Sequence, residues 1–422
     1  MMTWDVLTDR LVGRCKPIVP RRAADAAVFM GYGHGDNMRG MAIASALRRK
    51  NVGHITAILN FTGKGVVKDG KVKLDGSIAE FDIAESAKEQ GVIDDYVMNW
   101  GAPRQLAIPA LANVFQTVYD AVPYPIGQFT RKGPVLRNMG FYKSLYETHP
   151  YMNNVLRLLP FNQWEIASQT LGFHVDELDM IAPTTLAPNP EGPEWEHLCE
   201  GQCDPNDMLV AMLARSPYYV WGAGTMVSGR YVVVHNSTGG GHAVKCADPA
   251  VFQAVRARLI ADGVECVQVG DIADAAIEGA VDRRGMRLAL TCQLIAGALA
   301  VVSVEGFIPY LGIAKRRPTV VLSGPTPAGF FDCASVTTLA AGLCPSCFWR
   351  HEKWGERCWA GHERCVNFVP PDMVAETVAG VVKDSAAREE IIREAEQAAI
   401  ASARGLMPKA PPPGAATKER AK

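Results

Sequence analysis

The sequence has almost no net charge. Lys plus Arg number 43 and Asp plus Glu 44, which leaves −1 over 422 residues. A balanced chain has no bulk field to draw it onto nucleic acid or anionic lipid, so no polyanion partner is expected. A focused phosphate pocket is still allowed. Long apolar runs are also missing. One of the two longest uncharged stretches, Leu288 to Val304, contains Thr291, Gln293, Gly297 and Ser303, and it is shorter than the roughly 20 apolar residues a membrane helix needs. It reads as a buried helix running into a buried strand. Residues 1–22 carry charges throughout and no apolar core segment. No signal segment and no membrane span are therefore expected, and the predicted location is cytoplasmic. Two nucleotide signatures are absent. The run Gly31-Tyr32-Gly33-His34-Gly35-Asp36 lacks the last glycine of G-x-G-x-x-G, and no acidic residue closes the second strand. No G-x-x-x-x-G-K-[ST] loop occurs anywhere. NAD is not an expected cofactor.

What is present describes an ordinary globular protein: 48% hydrophobic and 21% charged residues, enough to bury large cores. The length favours two domains at roughly 150 residues each. Eleven cysteines are unevenly spread. Seven are scattered (Cys15, Cys199, Cys203, Cys246, Cys266, Cys292, Cys333). Cys344, Cys347, Cys358 and Cys365 form a C-x2-C-x10-C-x6-C cluster. A reducing compartment disfavours disulfides, and four soft thiolates suit a tetrahedral structural zinc or iron with no open position. His351 or His362 standing in for a ligand, or free thiols, are the alternatives. Trp349, Trp354 and Trp359 read as the small core of that finger.

Ala26–Gly31 reads as a strand, Met38–Lys50 as a helix and His54–Asn60 as a second strand, a βαβ unit. Residues 80–100 read as another helix and strand, residues 105–170 as richer in helical periodicity, and Phe173–Ala182 as a closing strand. After a seam at Asn189–Asp207 and a helix at Asn206–Arg215 the βα rhythm restarts at Tyr231–Asn236. A helix at Pro249–Asp262, a strand at Val264–Gly270, a helix-strand pair over Cys292–Ser303, a helical turn at Tyr310–Lys315 and a strand at Thr319–Ser323 follow. The predicted organisation is two doubly wound α/β domains, residues 1–215 and 216–385, the second carrying the finger at 344–365. A helix at 386–404 and a disordered Pro-rich tail at 405–422 complete it.

Four segments carry chemistry. Asp36 lies in the loop after the first strand, where ligands of open α/β sheets sit. It reads as a catalytic carboxylate or as a helix N-cap. Ser237, Thr238 and Lys245 flank three glycines after the strand that opens the second half. Close backbone approach, two hydroxyls and a lysine suit a phosphate; a flexible solvated loop is the alternative. Glu305 and Gly306 follow a buried strand and should line the same face, as should Thr326. Glu305 reads either as an acceptor for ribose or sugar hydroxyls or as a helix-start carboxylate. The finger is the fourth.

Taken together, from about residue 26 to about 380, these motifs resemble the heptosyltransferase-type glycosyltransferases (glycosyltransferase family 9), whose two Rossmann-like domains face each other across a cleft in the GT-B fold. The family's Gly-Asp pair looks like Gly35-Asp36, and its hydroxyl-rich loop and lysine look like Ser237, Thr238 and Lys245. Its Asp-Leu-x-Gly segment is similar to Asp282–Gly285, its acidic-Gly strand end to Glu305-Gly306, and its Gly-Pro-Thr turn to Gly324–Thr326. The closing cysteine and Pro-x-x-Val helix start resemble Cys365–Val374. The family's Asp-[Ser/Thr]-Gly-x-x-His is replaced by Glu305-Gly306-Phe307-Ile308-Pro309, without a histidine. The four-cysteine spacing is similar to the metal finger of the protein-glycosylating autotransporter heptosyltransferases.

The resemblance implies an inverting transfer of heptose or a related sugar from a nucleotide-diphospho-sugar to a glycan or protein hydroxyl in bacterial envelope or protein glycosylation. It makes Asp36 the general base. It makes Asn37, Ser237, Thr238, Lys245, Glu305, Gly306 and Thr326 the donor site, and the finger metal structural, with no catalytic metal. It allows a homo-oligomer and a position peripheral to the inner membrane. A sugar-nucleotide epimerase of the same architecture and a non-catalytic binding protein are the alternatives.

Overall fold

The computed structural model describes residues 26–31, 33–60, 66–68, 71–73, 77–99, 108, 111–112, 115–121, 127–130, 133–134, 162–183, 227, 229–238, 243–286, 288–340, 358, 361 and 365–387. The first half is built on strands β1 (Ala26–Phe29), β2 (Ile55–Asn60), β5 (Asp95–Asn99) and β6 (Thr117–Asp120), all parallel, in the order β5-β2-β1-β6. Two short antiparallel strands, β7 (Gly127–Thr130) and β8 (Gly133–Pro134), extend the β6 edge. A separate hairpin joins β3 (Val66–Lys68) and β4 (Lys71–Lys73). Helices α1 (His34–Arg49) and α2 (Ser77–Glu89) supply the crossovers.

The second half is a six-stranded, wholly parallel sheet. Its strands are β9 (Tyr231–His235), β10 (Glu265–Gln268), β11 (Val281–Asp282), β12 (Ala300–Val304), β13 (Thr319–Ser323) and β14 (Val336–Ala340), in the order β11-β10-β9-β12-β13-β14. Counted within this half, that is 3-2-1-4-5-6, the doubly wound dinucleotide-type order. β9, β12 and β13 are buried along their whole length, which is why they read as mostly apolar runs such as Tyr231-Val232-Val233-Val234. Helices α4 (Pro249–Ile260), α5 (Leu288–Gly297) and α6 (Ile308–Ala314) cover the sheet, and residues 371–387 form α7. Asp248 caps α4 by accepting from the Ala250 N–H, and Pro249 opens it.

In both sheets the order reverses beside the first strand, between β1 and β6 and between β9 and β12. Diverging connections leave a crevice at the carboxyl ends there. Asp36 follows β1. Lys245 follows β9, and Glu305 follows β12.

The segment between the halves departs from expectation. Phe173–Ala182 is not a strand. Asp176 and Asp179 exchange bonds in a capping box around the 3-10 turn Glu177–Asp179, and Arg49 grips Asp179 at 2.6 and 2.7 Å. Local carboxylate–backbone bonds outcompete a ladder here. The described part of 105–170 holds three short strands and only one helix of more than a turn, α3 (Gln163–Leu171). The expected helix at Asn206–Arg215, all but the first two residues of the one at 386–404, the tail at 405–422, and Gly239–His242 lie outside the described residues.

Candidate active site

Asp36 is not a helix cap. Gly33 occupies the N-cap position in extended conformation and offers no side chain, while Asp36 is the third residue of α1. A carboxylate in the first turn is favoured by the helix dipole. It can sit there because Gly31 has no side chain. A Cβ at Gly31 would stand 2.0 Å from Asp36 Cβ.

The Asp36 side chain is 38% exposed and reaches the crevice. Burial of its surroundings pushes the carboxyl above the ordinary carboxylate value. The charges of Arg39 and Lys245 and the Gly33 N–H pull it back without cancelling the rise. A carboxylate of raised basicity beside two cations is a suitable proton acceptor. Arg39 is 1% exposed. It donates to the Ala121 carbonyl and lies 3.7 Å from Asp36 Oδ1. The sequence pattern did not single it out, although Asp36-x-x-Arg39 is the helical spacing of an i,i+3 ion pair.

From the other half, Lys245 closes the 3-10 turn Ala243–Lys245, and its Nζ lies 3.9 Å from Glu305 Oε2. Glu305 is 1% exposed. Its Oε1 accepts from the Gly324 and Thr326 N–H groups at 3.3 and 3.4 Å, so one of its two oxygens is committed to the neighbouring turn. Its Oε2 accepts no hydrogen bond among the described residues. Gly306 brings its backbone against Thr238: a Cβ there would lie 3.2 Å from Thr238 Cγ2. The Ser237 hydroxyl is 3.6 Å from Cys246 Sγ and also bonds Asp274. Thr326 is buried, and its carbonyl accepts from Ser323 at 2.7 Å. Asn37 is fully buried, and neither atom of its amide has a hydrogen-bond partner among the described residues. The structure thus gathers Lys245, Glu305, Gly306, Thr238 and Thr326 at one sheet end, with Asp36 and Asn37 on the helix that begins the other half.

Two further groups join the halves. His34 Nδ1 is 3.0 Å from the buried Glu80, and its ring meets Phe307 edge-on with centroids 5.3 Å apart. Tyr310 donates to Gln163 Oε1 at 2.8 Å. Tyr310 stands five residues after Glu305, on α6 (Ile308–Ala314). No sequence pattern singles it out, because its partner Gln163 lies 147 residues away in the chain.

Of the four finger cysteines, Cys344 and Cys347 lie outside the described residues. Cys358 and Cys365 are buried. Cys365 Cβ would be 3.3 Å from a Cβ at Gly324, so this thiol packs behind the turn that holds Glu305. Two buried soft donors fit a thiolate metal site. No group of three or more possible ligands occurs among the described residues. No helix among them is long and apolar enough to cross a membrane.

No family model matches the chain, and no curated protein matches it. Solved structures do. A glycosyl transferase family 9 protein from Veillonella parvula is 13% identical, over 86% of this chain and 98% of that one, with TM-score 0.47. The iron-containing dodecameric glycosyltransferase TibC from enterotoxigenic E. coli is 14% identical, over 86% and 76%, with TM-score 0.49. The E. coli ADP-heptose lps heptosyltransferase II is 12% identical, over 85% and 99%, with TM-score 0.46.

Proposed function

We propose that this chain is an inverting glycosyltransferase of GT-B architecture that uses a nucleotide-diphospho-sugar, carrying heptose or a related sugar, and a glycan or protein hydroxyl acceptor. The observation that carries the reading is the placement of Asp36 and Lys245. They come from two separate sheets, each at its switch point, and are close enough for the lysine charge to act on the carboxylate.

Asp36 takes the acceptor proton. The acceptor oxygen attacks the anomeric carbon opposite the leaving group, the carbon–phosphate oxygen bond breaks, and the nucleoside diphosphate leaves with the electron pair. The configuration inverts. Lys245, the Thr238 hydroxyl and loop N–H groups stabilise the departing charge. Glu305 holds Lys245 and the Gly324–Thr326 turn in place. Ser237, Gly306, Thr326 and Asn37 complete the donor pocket. Cys344, Cys347, Cys358 and Cys365 would hold a structural zinc or iron, whose chemistry is to cross-link the segment that carries them.

The test is a thermal-shift screen of ADP-, GDP- and UDP-sugars with elemental analysis of the same sample. A donor at 100 times its Kd stabilises by about 2.7 kcal/mol. Failure of every nucleotide sugar to shift the melting curve would reject the reading. An acceptor-free assay that released a changed sugar nucleotide would reassign the chain as an epimerase.

A further inference from the structure

We propose that Tyr310 is a positioning residue that sets the Asp36 carboxylate against the donor half. This rests on the transfer reading of Asp36. Tyr310 belongs to α6, which is entered directly from Glu305–Phe307, the segment that pairs with Lys245. Its ring lies over Gly35, the residue before Asp36. A Cβ at Gly35 would meet Tyr310 Cε2 and Cδ2 at 2.9 and 3.2 Å. The glycine of the Gly-Asp pair is thus a docking face for a side chain from the opposite half.

The ring has no slack on its other sides. Phe331 packs edge-on with centroids 5.4 Å apart, Phe330 backs Phe331 at 5.0 Å, and Tyr310 is 5% exposed. Its hydroxyl spans the halves to Gln163. The neighbouring Asn162 makes the same crossing, with Nδ2 donating to the Asp332 carbonyl at 2.8 Å while its Oδ1 caps α3. On the far side of this segment Arg316 donates to the Glu177 and Leu178 carbonyls at 3.0 and 3.1 Å. A single stretch, residues 305–310, therefore holds the phosphate-side lysine at one end and the base-bearing helix at the other. A buried aromatic in fixed contact with backbone is a stiff spacer between them.

The experiment uses the full chain and three variants: Tyr310→Phe, Gln163→Leu and the double. If the bond forms in solution, the double melts no lower than the weaker single, because either change removes the same bond. In steady-state transfer both singles should lower kcat about 10-fold or more while donor KM stays within about 2-fold, as expected for a misplaced base. Additive melting losses would overturn the contact. Unchanged kcat, or a raised donor KM at constant kcat, would overturn the positioning role and leave the transfer reading standing. A parent that turns over no nucleotide sugar would sink that reading and this role with it.

Discussion

Arg39 Nη2 lies 3.7 Å from Asp36 Oδ1, yet the pair does not fully offset its own burial. The Asp36 carboxyl sits above the ordinary carboxylate value, and the Arg39 guanidinium is pushed below its own. For a carboxyl raised in the fold, ionisation costs stability, and that cost grows as pH rises through its folded value. Asp36→Asn should therefore melt no lower than the parent at neutral pH, with the gap shrinking toward pH 4, while turnover falls at least about 100-fold. Melting curves and transfer rates on one preparation check both. In the parent the acid limb of kcat should lie above the ordinary carboxylate range, and Arg39→Met should move it higher still, because Arg39 is a charge that pulls Asp36 down. A limb unmoved by Arg39→Met would remove Asp36 from the titration.

Lys245→Met separates binding from stability. It takes the cation away from the buried Glu305, whose Oε2 accepts no hydrogen bond among the described residues, and should cost about 1–3 kcal/mol. Adding Glu305→Gln should recover most of that loss, since the replacement carries no charge to compensate. Nucleotide-sugar affinity should stay weakened in both. Recovery of affinity in the double would mean that the lysine serves the fold and not the donor.

The sheets were readable because parallel strands buried on both faces are mostly apolar, as in Tyr231–Val234 and Ala300–Val302. Their turns carry glycines and polar residues that a one-dimensional scan can find. Asp36 and Lys245 can be placed at strand ends from the sequence for the same reason: each follows a strand. Tyr310 and Gln163 were not readable, because they meet across 147 residues of chain, and Arg39, though spaced i,i+3 from Asp36, is fixed in the site by a bond to Ala121, 82 residues on. No spacing rule reaches that far. The turn at Glu177–Asp179 has the sequence look of a strand because its apolar neighbours, Met180 and Ile181, pack into the core from irregular backbone.

His34 offers a pH test independent of catalysis. Burial lowers the affinity of its imidazole for a proton, the charge of Glu80 3.0 Å away raises it, and the net direction is up from 6.5. A histidine raised in the fold contributes stability that is present below its unfolded value and is lost as pH climbs through the folded one. His34→Gln should therefore melt below the parent at pH 6, with the difference closing as pH rises past the folded value. A difference independent of pH would show that the imidazole acts by packing on Phe307 alone.

Cys365 packs behind Gly324, whose N–H helps to hold Glu305. If the four thiolates hold a metal, a chelator should lower the melting temperature and weaken nucleotide-sugar binding together, with re-addition of zinc or iron restoring both. Cys358→Ser should reproduce the chelated state. Loss of stability with donor affinity intact would confine the finger to a purely structural role away from the pocket.

Gly31 makes the sharpest demand on the site. A methyl group there would stand 2.0 Å from Asp36 Cβ and 2.8 Å from its Cγ, far inside contact distance. Gly31 is itself buried at the end of β1, whose partners on both sides are parallel strands, so the strand cannot shift to make room. The nearest clash is with Asp36 Cβ, which no side-chain rotation moves, so the first turn of α1 is the part that yields. Gly31→Ala should thus swing the carboxylate away from Arg39 and out of line with the donor. Turnover should fall about 100-fold with donor affinity little changed, since the donor groups sit on the other sheet. Gly33→Ala is the control. Its Cβ would lie 3.5 Å from Asp36 Oδ2, ordinary contact, so it should cost far less. Equal losses in the two variants would show that the turn's flexibility, and not the clearance at Gly31, is what catalysis requires.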